Sequence, residues 1–263
     1  ALGIAGSQAA GSMEFLEDGA WTNRFHPGWA AHSGMWAAFL AREGFIGPTT
    51  IVEGRYGFLN AYSGDPDLDS VLSDLGETYH VTRTSVKPHA CCRYNQGPID
   101  CILDLVNRYE LRAEDVEKAT VGILSAGYNI VASPPEEKRN PKSVVDMQFS
   151  MPFGAAVALL YGRASLEEYS TEVVERPEVR ELMSRVSCVQ DARLDAQFPK
   201  VWPAWAEIQT RDGRSLRSEL QYPKGDPENA LSWGEMKDKF KSLASPVTSS
   251  KRPVSYTHLT LPT

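Results

Sequence analysis

No apolar run in this chain is long enough to cross a membrane: the longest, such as GAAVALLYG at 154–162, falls well short of the roughly 20 residues a spanning helix needs. An excess of positive charge is also missing. Lys and Arg number 27 against 34 Asp and Glu, for a net charge of -7, so no basic stripe is at hand to neutralise a phosphate backbone, and nucleic acid is not an expected partner. A few local bases still suffice to bind a small anion. Cysteine is scarce: Cys91, Cys92, Cys101 and Cys188 form neither a disulfide framework nor a CxxC metal motif, so a reducing cytoplasm is the expected setting. No basic-then-apolar leader, P-loop, GxSxG elbow, HExxH helix or internal repeat occurs. GRYG at 54–57 has too few glycines, and no βαβ pattern before it, to bind a nucleotide. These absences point to acid/base chemistry with no cofactor and no metal.

What is present is an ordinary globular balance, 42% hydrophobic and 23% charged, over 263 residues, which is enough for one large domain or two smaller ones with a sizeable core. Residues 1–15 read as a helix rich in Gly and Ala. HPGWAAHSGMWAAFLAREG reads as a second, with Pro27 in its first turn and Gly44 as its stop. A further short helix is expected in IVEGRYGFLNAYS, so the chain is read as crowded and all-helical to about residue 80. Beyond that point the character changes. Asn95 or a neighbour is expected to cap the helix QGPIDCILDLVNRY, and Val116, Ala119, Val121 and Ile123 alternate imperfectly as a strand. QFSMPFGAAVALLYG reads as an apolar helix, RVSCVQD and WAEIQTRDG as strands, DGRS as a hairpin turn into SLRSEL, and ALSWGEMKDKFKSLA as a closing amphipathic helix. The start, ALGIAGSQAAG, lacks Met and is already inside a helical pattern, so upstream sequence is expected to be missing. The end, KRPVSYTHLTLPT, continues no pattern and reads as a non-native tail.

Two clusters carry candidate chemistry. His26 immediately precedes Pro27, where a helix start offers unpaired N–H groups to an anion, and Arg24 stands two residues away. Together they could hold a carboxylate, Arg as a fork and His as donor or acid/base, or they could be a capping histidine and a surface arginine. His32 is the poorer candidate and is expected to pack or hydrogen-bond. In VKPHACCRYN, Lys87 and His89 point the same way if the segment is extended, and Arg93 follows near a helix entrance. This cluster suits a di- or tricarboxylate, with Lys87 a base if its neighbours lower its pKa, or it is a solvated charged loop. Cys91 and Cys92 read as packing residues.

AGSQAAGSMEFLEDGAWTNRFHPGWAAHSGMWAAFLAREGFIGP, EGRYGF, VKPHACCRYNQGPIDCILDL and QFSMPFGAAVALLYG, taken in order, resemble the MmgE/PrpD family over about residues 1–240. The resemblance implies a mainly α chain, an all-helical domain plus a smaller α+β lid domain, with the active site in the cleft between them. It implies boundaries of 1–82 for the helical part, 83–228 for the lid, 229–247 for a helix returning to the helical domain, and 248–263 for the tail. It also implies a chain lacking the N-terminal part of the helical domain. The family includes 2-methylcitrate dehydratases, cis-aconitate decarboxylases and iminodisuccinate epimerases. A 2-methylcitrate dehydratase-like hydro-lyase is the leading expectation. A cis-aconitate decarboxylase-like enzyme, an epimerase or racemase of an amino or imino dicarboxylate, and a non-catalytic carboxylate-binding protein are the alternatives. The resemblance makes His26 and Lys87 the catalytic pair. It makes Arg24, Asn23, Arg93, Gln8 and Gln96 substrate-binding, with Asn23 standing where relatives have lysine and Gln96 where they often have histidine. Phe153 falls where many have tyrosine. A homodimer is the expected assembly.

Overall fold

The computed structural model describes residues 1–246 and divides into two compact units, Ala1–Thr82 and the remainder from Arg83. The expected tail at 248–263 lies outside the described residues.

The first unit is helical, with α1 (Leu2–Gly6), α2 (Phe15–Asp18), α3 (Thr22–Arg42) and α4 (Phe58–Tyr62) joined by long turns. The single helix expected over residues 1–15 is two short ones. The break between them contains Gly11, whose φ of +136° is open only to glycine. Gly3 and Gly47 let the backbones of α1 and the 47–48 segment touch: a Cβ on Gly3 would collide with the carbonyl of Pro48. α3 begins at Thr22, with Trp21 as its N-cap, so Pro27 lies inside the helix rather than in its first turn. Proline there leaves the Asn23 carbonyl without its usual N–H partner, and the helix continues regardless. α3 buries only Ser33 and Ala37 and displays an aromatic row. Phe25 stacks on Trp29 at 5.7 Å, Trp29 on His32 at 5.1 Å, and the Trp36 indole N–H donates to His32 Nε2 at 2.8 Å. His32 thus packs and hydrogen-bonds, as its position on the helix suggested.

The second unit is built on a four-stranded sheet. In chain order it contains α5 (Arg93–Tyr109), β1 (Val116–Ile123), α6 (Ser125–Val131), α7 (Pro135–Lys138), α8 (Val144–Gln148), α9 (Met151–Tyr161), α10 (Thr171–Val174), α11 (Pro177–Arg185), β2 (Val186–Gln190), α12 (Ala192–Asp195), β3 (Ala204–Thr210), β4 (Ser215–Leu220) and α13 (Trp233–Ala244). The strand order is β2-β1-β3-β4. β1 runs parallel to β2, with Val121 opposite Cys188, and antiparallel to β3, while β3 and β4 form the expected hairpin around Gly213. A register shift between Val116 and Lys118 accounts for the imperfect alternation of β1. Gly122 gives the Trp205 indole room to lie across β1, and that indole donates to Asp191 Oδ2 at 2.9 Å.

α9 is buried from Met151 to Leu159, so it has no polar face to show and occupies the core between α5 and α11. Ser150 caps it by accepting the Phe153 N–H at 3.1 Å, and Gly162 ends it in the left-handed region. Ile99, Ile102 and Leu105 of α5 pack into the same core. Asn95 is not the cap of α5. Cys92 holds that position, and the Asn95 amide reaches the carbonyls of Gln148 and Ser150 instead. α13 starts with a capping box, in which Ser232 accepts from the Glu235 N–H at 3.3 Å and donates its own N–H to the Glu235 carboxylate at 2.7 Å. The chain is predominantly α-helical with a smaller mixed α+β sheet region. Among the described residues no helix is long and apolar enough to cross a membrane.

Candidate functional site

Lys87 is exposed on an irregular segment, residues 85–92, whose backbone is tied down along its length. The Val86 N–H donates to the Gly225 carbonyl at 2.8 Å, Ala90 N–H to Ala164 at 3.0 Å and Cys92 N–H to Gln148 at 2.8 Å. Ser85 Oγ donates to Asp226 Oδ1 at 2.6 Å. The Lys87 carbonyl accepts from the Lys239 ammonium, brought there by α13. Burial and the nearby Lys87 charge, in that order, hold the Lys239 pKa below the usual lysine value. Two cations therefore lie close enough to repel one another, and a carboxylate settling there would relieve that repulsion.

Most of the other polar residues expected at this site support the segment rather than face a ligand. Arg93 donates through Nη2 to both carboxylate oxygens of Asp226 at 2.6 Å and lies 4.8 Å from the Trp202 ring centroid. It already holds a carboxylate, and that carboxylate belongs to the protein. Gln96 is fully buried. Its Oε1 accepts the His89 N–H at 3.1 Å, and its Nε2 faces the carbonyls of His89, Cys91 and Cys92 at 3.1–3.3 Å. Both polar atoms of its amide are thus engaged inside the fold. His89 does not point the same way as Lys87. The chain turns at 89–91, where Cys91 N–H bonds the His89 carbonyl, and the imidazole is buried 2.9 Å from Asp100 Oδ1. The other Asp100 oxygen accepts the Lys224 N–H at 2.7 Å.

In the helical unit His26 lies in the second turn of α3, not before its start, so the unpaired N–H groups of the helix end are not beside it. Its half-buried ring meets the Phe15 edge at a 6.1 Å centroid distance, and Gly11 passes alongside: a Cβ there would sit 3.5 Å from Nδ1. Arg24 is exposed with its guanidinium 5.4 Å from the Trp21 ring centroid. Asn23 Oδ1 is buried without a hydrogen-bond partner, an acceptor available to a donor. Gln8 turns back on its own helix, donating to the Ile4 carbonyl at 3.2 Å.

The cysteines behave as packing residues. Burial pushes the Cys91 and Cys101 thiols up to about 12, far from the thiolate a nucleophile needs. Phe153, in the position often held by tyrosine, is sealed in the core with its ring against the Tyr169 edge at 5.2 Å. Among the described residues no group of three or more His, Cys, Asp or Glu side chains gathers as a metal site. Lys239 is the residue that sequence reasoning missed. Its helix was legible from its amphipathic pattern, but nothing local shows that it lands on a segment 152 residues away.

The model of the MmgE/PrpD C-terminal domain matches residues 89–255, and that of the MmgE/PrpD N-terminal domain matches residues 1–71. The chain belongs to the MmgE/PrpD family. Parts of both of the family's domains are thus present in the chain. The chain also resembles a cis-aconitate decarboxylase-like protein, oryM, of Aspergillus oryzae, at 26% identity over 96% of the chain and 54% of the relative. Cis-aconitate decarboxylase of Aspergillus terreus is 27% identical over the same shares, and that of Mus musculus 26% over 85% of the chain and 46% of the relative. The chain spans about half the length of these MmgE/PrpD relatives.

Proposed function

We propose that this chain is part of a carboxylate-processing MmgE/PrpD enzyme of the cis-aconitate decarboxylase type. The observation that carries the reading is Lys87, exposed on a backbone fixed by Gly225, Gln148 and Lys239, with the Lys239 ammonium beside it. A rigid mount is what an electrostatic catalyst needs, because its charge then meets the developing charge without reorganising. In decarboxylation the C–C bond to one carboxylate breaks, its electron pair stays on the substrate carbon, and an acid supplies the proton that replaces carbon dioxide. Lys87 stabilises the carbanion, Lys239 adds to the field that holds the carboxylates, and an ammonium or imidazolium returns the proton. His26, Arg24 and Asn23 remain candidates for substrate contact on the helical unit. The names of the curated relatives favour decarboxylation over the hydro-lyase reaction on 2-methylcitrate. A cytoplasmic homodimer completes the reading. The free cysteines support the compartment, and the exposed aromatic row of α3 supports the assembly.

The test is proton NMR of the protein with cis-aconitate in deuterium oxide. The expected result is a product one carboxylate smaller, carrying one deuterium, whose formation falls at least a hundredfold in Lys87→Met and whose KM rises several-fold in Lys239→Met. A hydrated or dehydrated product would restore the hydro-lyase, and exchange without net loss would point to an epimerase. Saturable binding without turnover would leave a carboxylate-binding protein.

A further inference from the structure

A second cationic feature lies beside the β2 edge of the sheet. A cavity of about 200 Å³ is lined by Arg139, Tyr128, Pro135, Pro152, Ser187 and Cys188, among others. Arg139 is fixed there. Its Nη2 donates to the Val186 carbonyl at 3.0 Å, the preceding Lys138 carbonyl accepts from Ser150 Oγ at 2.5 Å, and the following Asn140 accepts from Arg180 at 2.8 Å. Its Nε is buried with no hydrogen-bond partner, and none of the ion pairs among the described residues includes it. A buried guanidinium donor is rarely left unpaired, because desolvating it without a partner is unfavourable.

We propose that this cavity is a binding site for a small aliphatic monocarboxylate. One carboxylate matches the one guanidinium, which is in no ion pair among the described residues. The remaining wall, Tyr128, Ala132, Pro135 and Pro152, is mostly apolar and suits a short hydrocarbon body. No lysine and no second arginine lines the cavity, so a second or third carboxylate on the ligand would find no cation there. The volume of about 200 Å³ leaves room for a short-chain acid. The class thus differs from the tricarboxylate proposed as substrate, and binding here does not depend on turnover at Lys87.

Titration of the ¹⁵N-labelled protein with butyrate, phosphate and citrate tests the site. Butyrate is expected to shift the Ser187 and Cys188 amides and the Arg139 Nε–H resonance saturably, and more tightly than either comparator. Arg139→Gln should weaken it at least tenfold. Because Arg139 also holds the Val186 carbonyl, Ser187→Leu provides a second variant that fills the cavity and leaves that bond in place; it should weaken butyrate as much. Absence of a saturable shift at these amides in the unmodified protein would overturn the proposal. So would preference for phosphate or citrate, or undiminished binding in both variants.

Discussion

At the scale of single residues, the polar side chains around Lys87 divide by what they touch. Gln96 shows the division most clearly, because its amide makes a set of bonds to the 89–92 backbone that leaves nothing over for a ligand. Gln96→Leu keeps the volume but strips the partner from the buried His89 N–H and from the carbonyls that faced Nε2. The expected loss is about 3 kcal/mol by urea denaturation, the sum of two or three unsatisfied buried groups at the usual cost. KM for a carboxylate measured on the folded fraction should stay within twofold. A large rise in KM with stability intact would return Gln96 to the substrate-binding set. The family resemblance and their place in the VKPHACCRYNQ segment put Gln96 and Arg93 among ligand residues. Only the three-dimensional partners, Asp226 for one and the His89 backbone for the other, show that the fold already uses them.

At the scale of elements, legibility followed periodicity. β1 to β4, α9 and α13 stand close to where alternation, apolar runs and amphipathic patterning put them, because those patterns are set by burial that each element imposes on its own neighbours. The start of α3 was misplaced because proline marks a first turn by preference, not by necessity, and Trp21 opens the helix without a side-chain cap. The His89 turn was hidden for a related reason: two residues share a face only if the segment is extended, and this one is not. The contact of the 223–226 loop with the lysine segment had no local signal, although it helps to hold that segment. Gly225 there has φ +92°, and a Cβ on it would collide with the Val86 carbonyl. Gly225→Ala should therefore break the Val86–Gly225 hydrogen bond and cost about 2–3 kcal/mol, most of it backbone strain. Amide exchange at Val86 and Lys87 should accelerate well beyond what the global loss explains. Unchanged protection at Val86 would mean that the lysine segment is held by its other ties.

At the scale of the molecule, the two units are unequal in what they bury. The second has a continuous core running through α5, α9, α11 and the sheet. The first has Ile4, Phe15 and Ala37 as its buried hydrophobics, while Ile46 is 89% exposed, Tyr56 86% and Trp21 69%. Hydrophobic burial is the main term opposing chain entropy, so a unit that leaves its aromatics in water has little with which to fix a unique fold. Residues 83–246 expressed alone should unfold in one cooperative urea transition with an m-value fitting their size. Residues 1–82 alone should bind ANS, keep helical far-ultraviolet dichroism and lose structure without a sharp midpoint. Cooperative unfolding of residues 1–82 would show that the small-residue contacts of α1 with the 47–48 segment are worth more than their buried area implies. With the expected outcome, His26, Arg24 and Asn23 would owe their geometry to a surface that covers the aromatic row of α3. Any chemistry on the helical unit would then require that cover, whereas the mount of Lys87 would form without it.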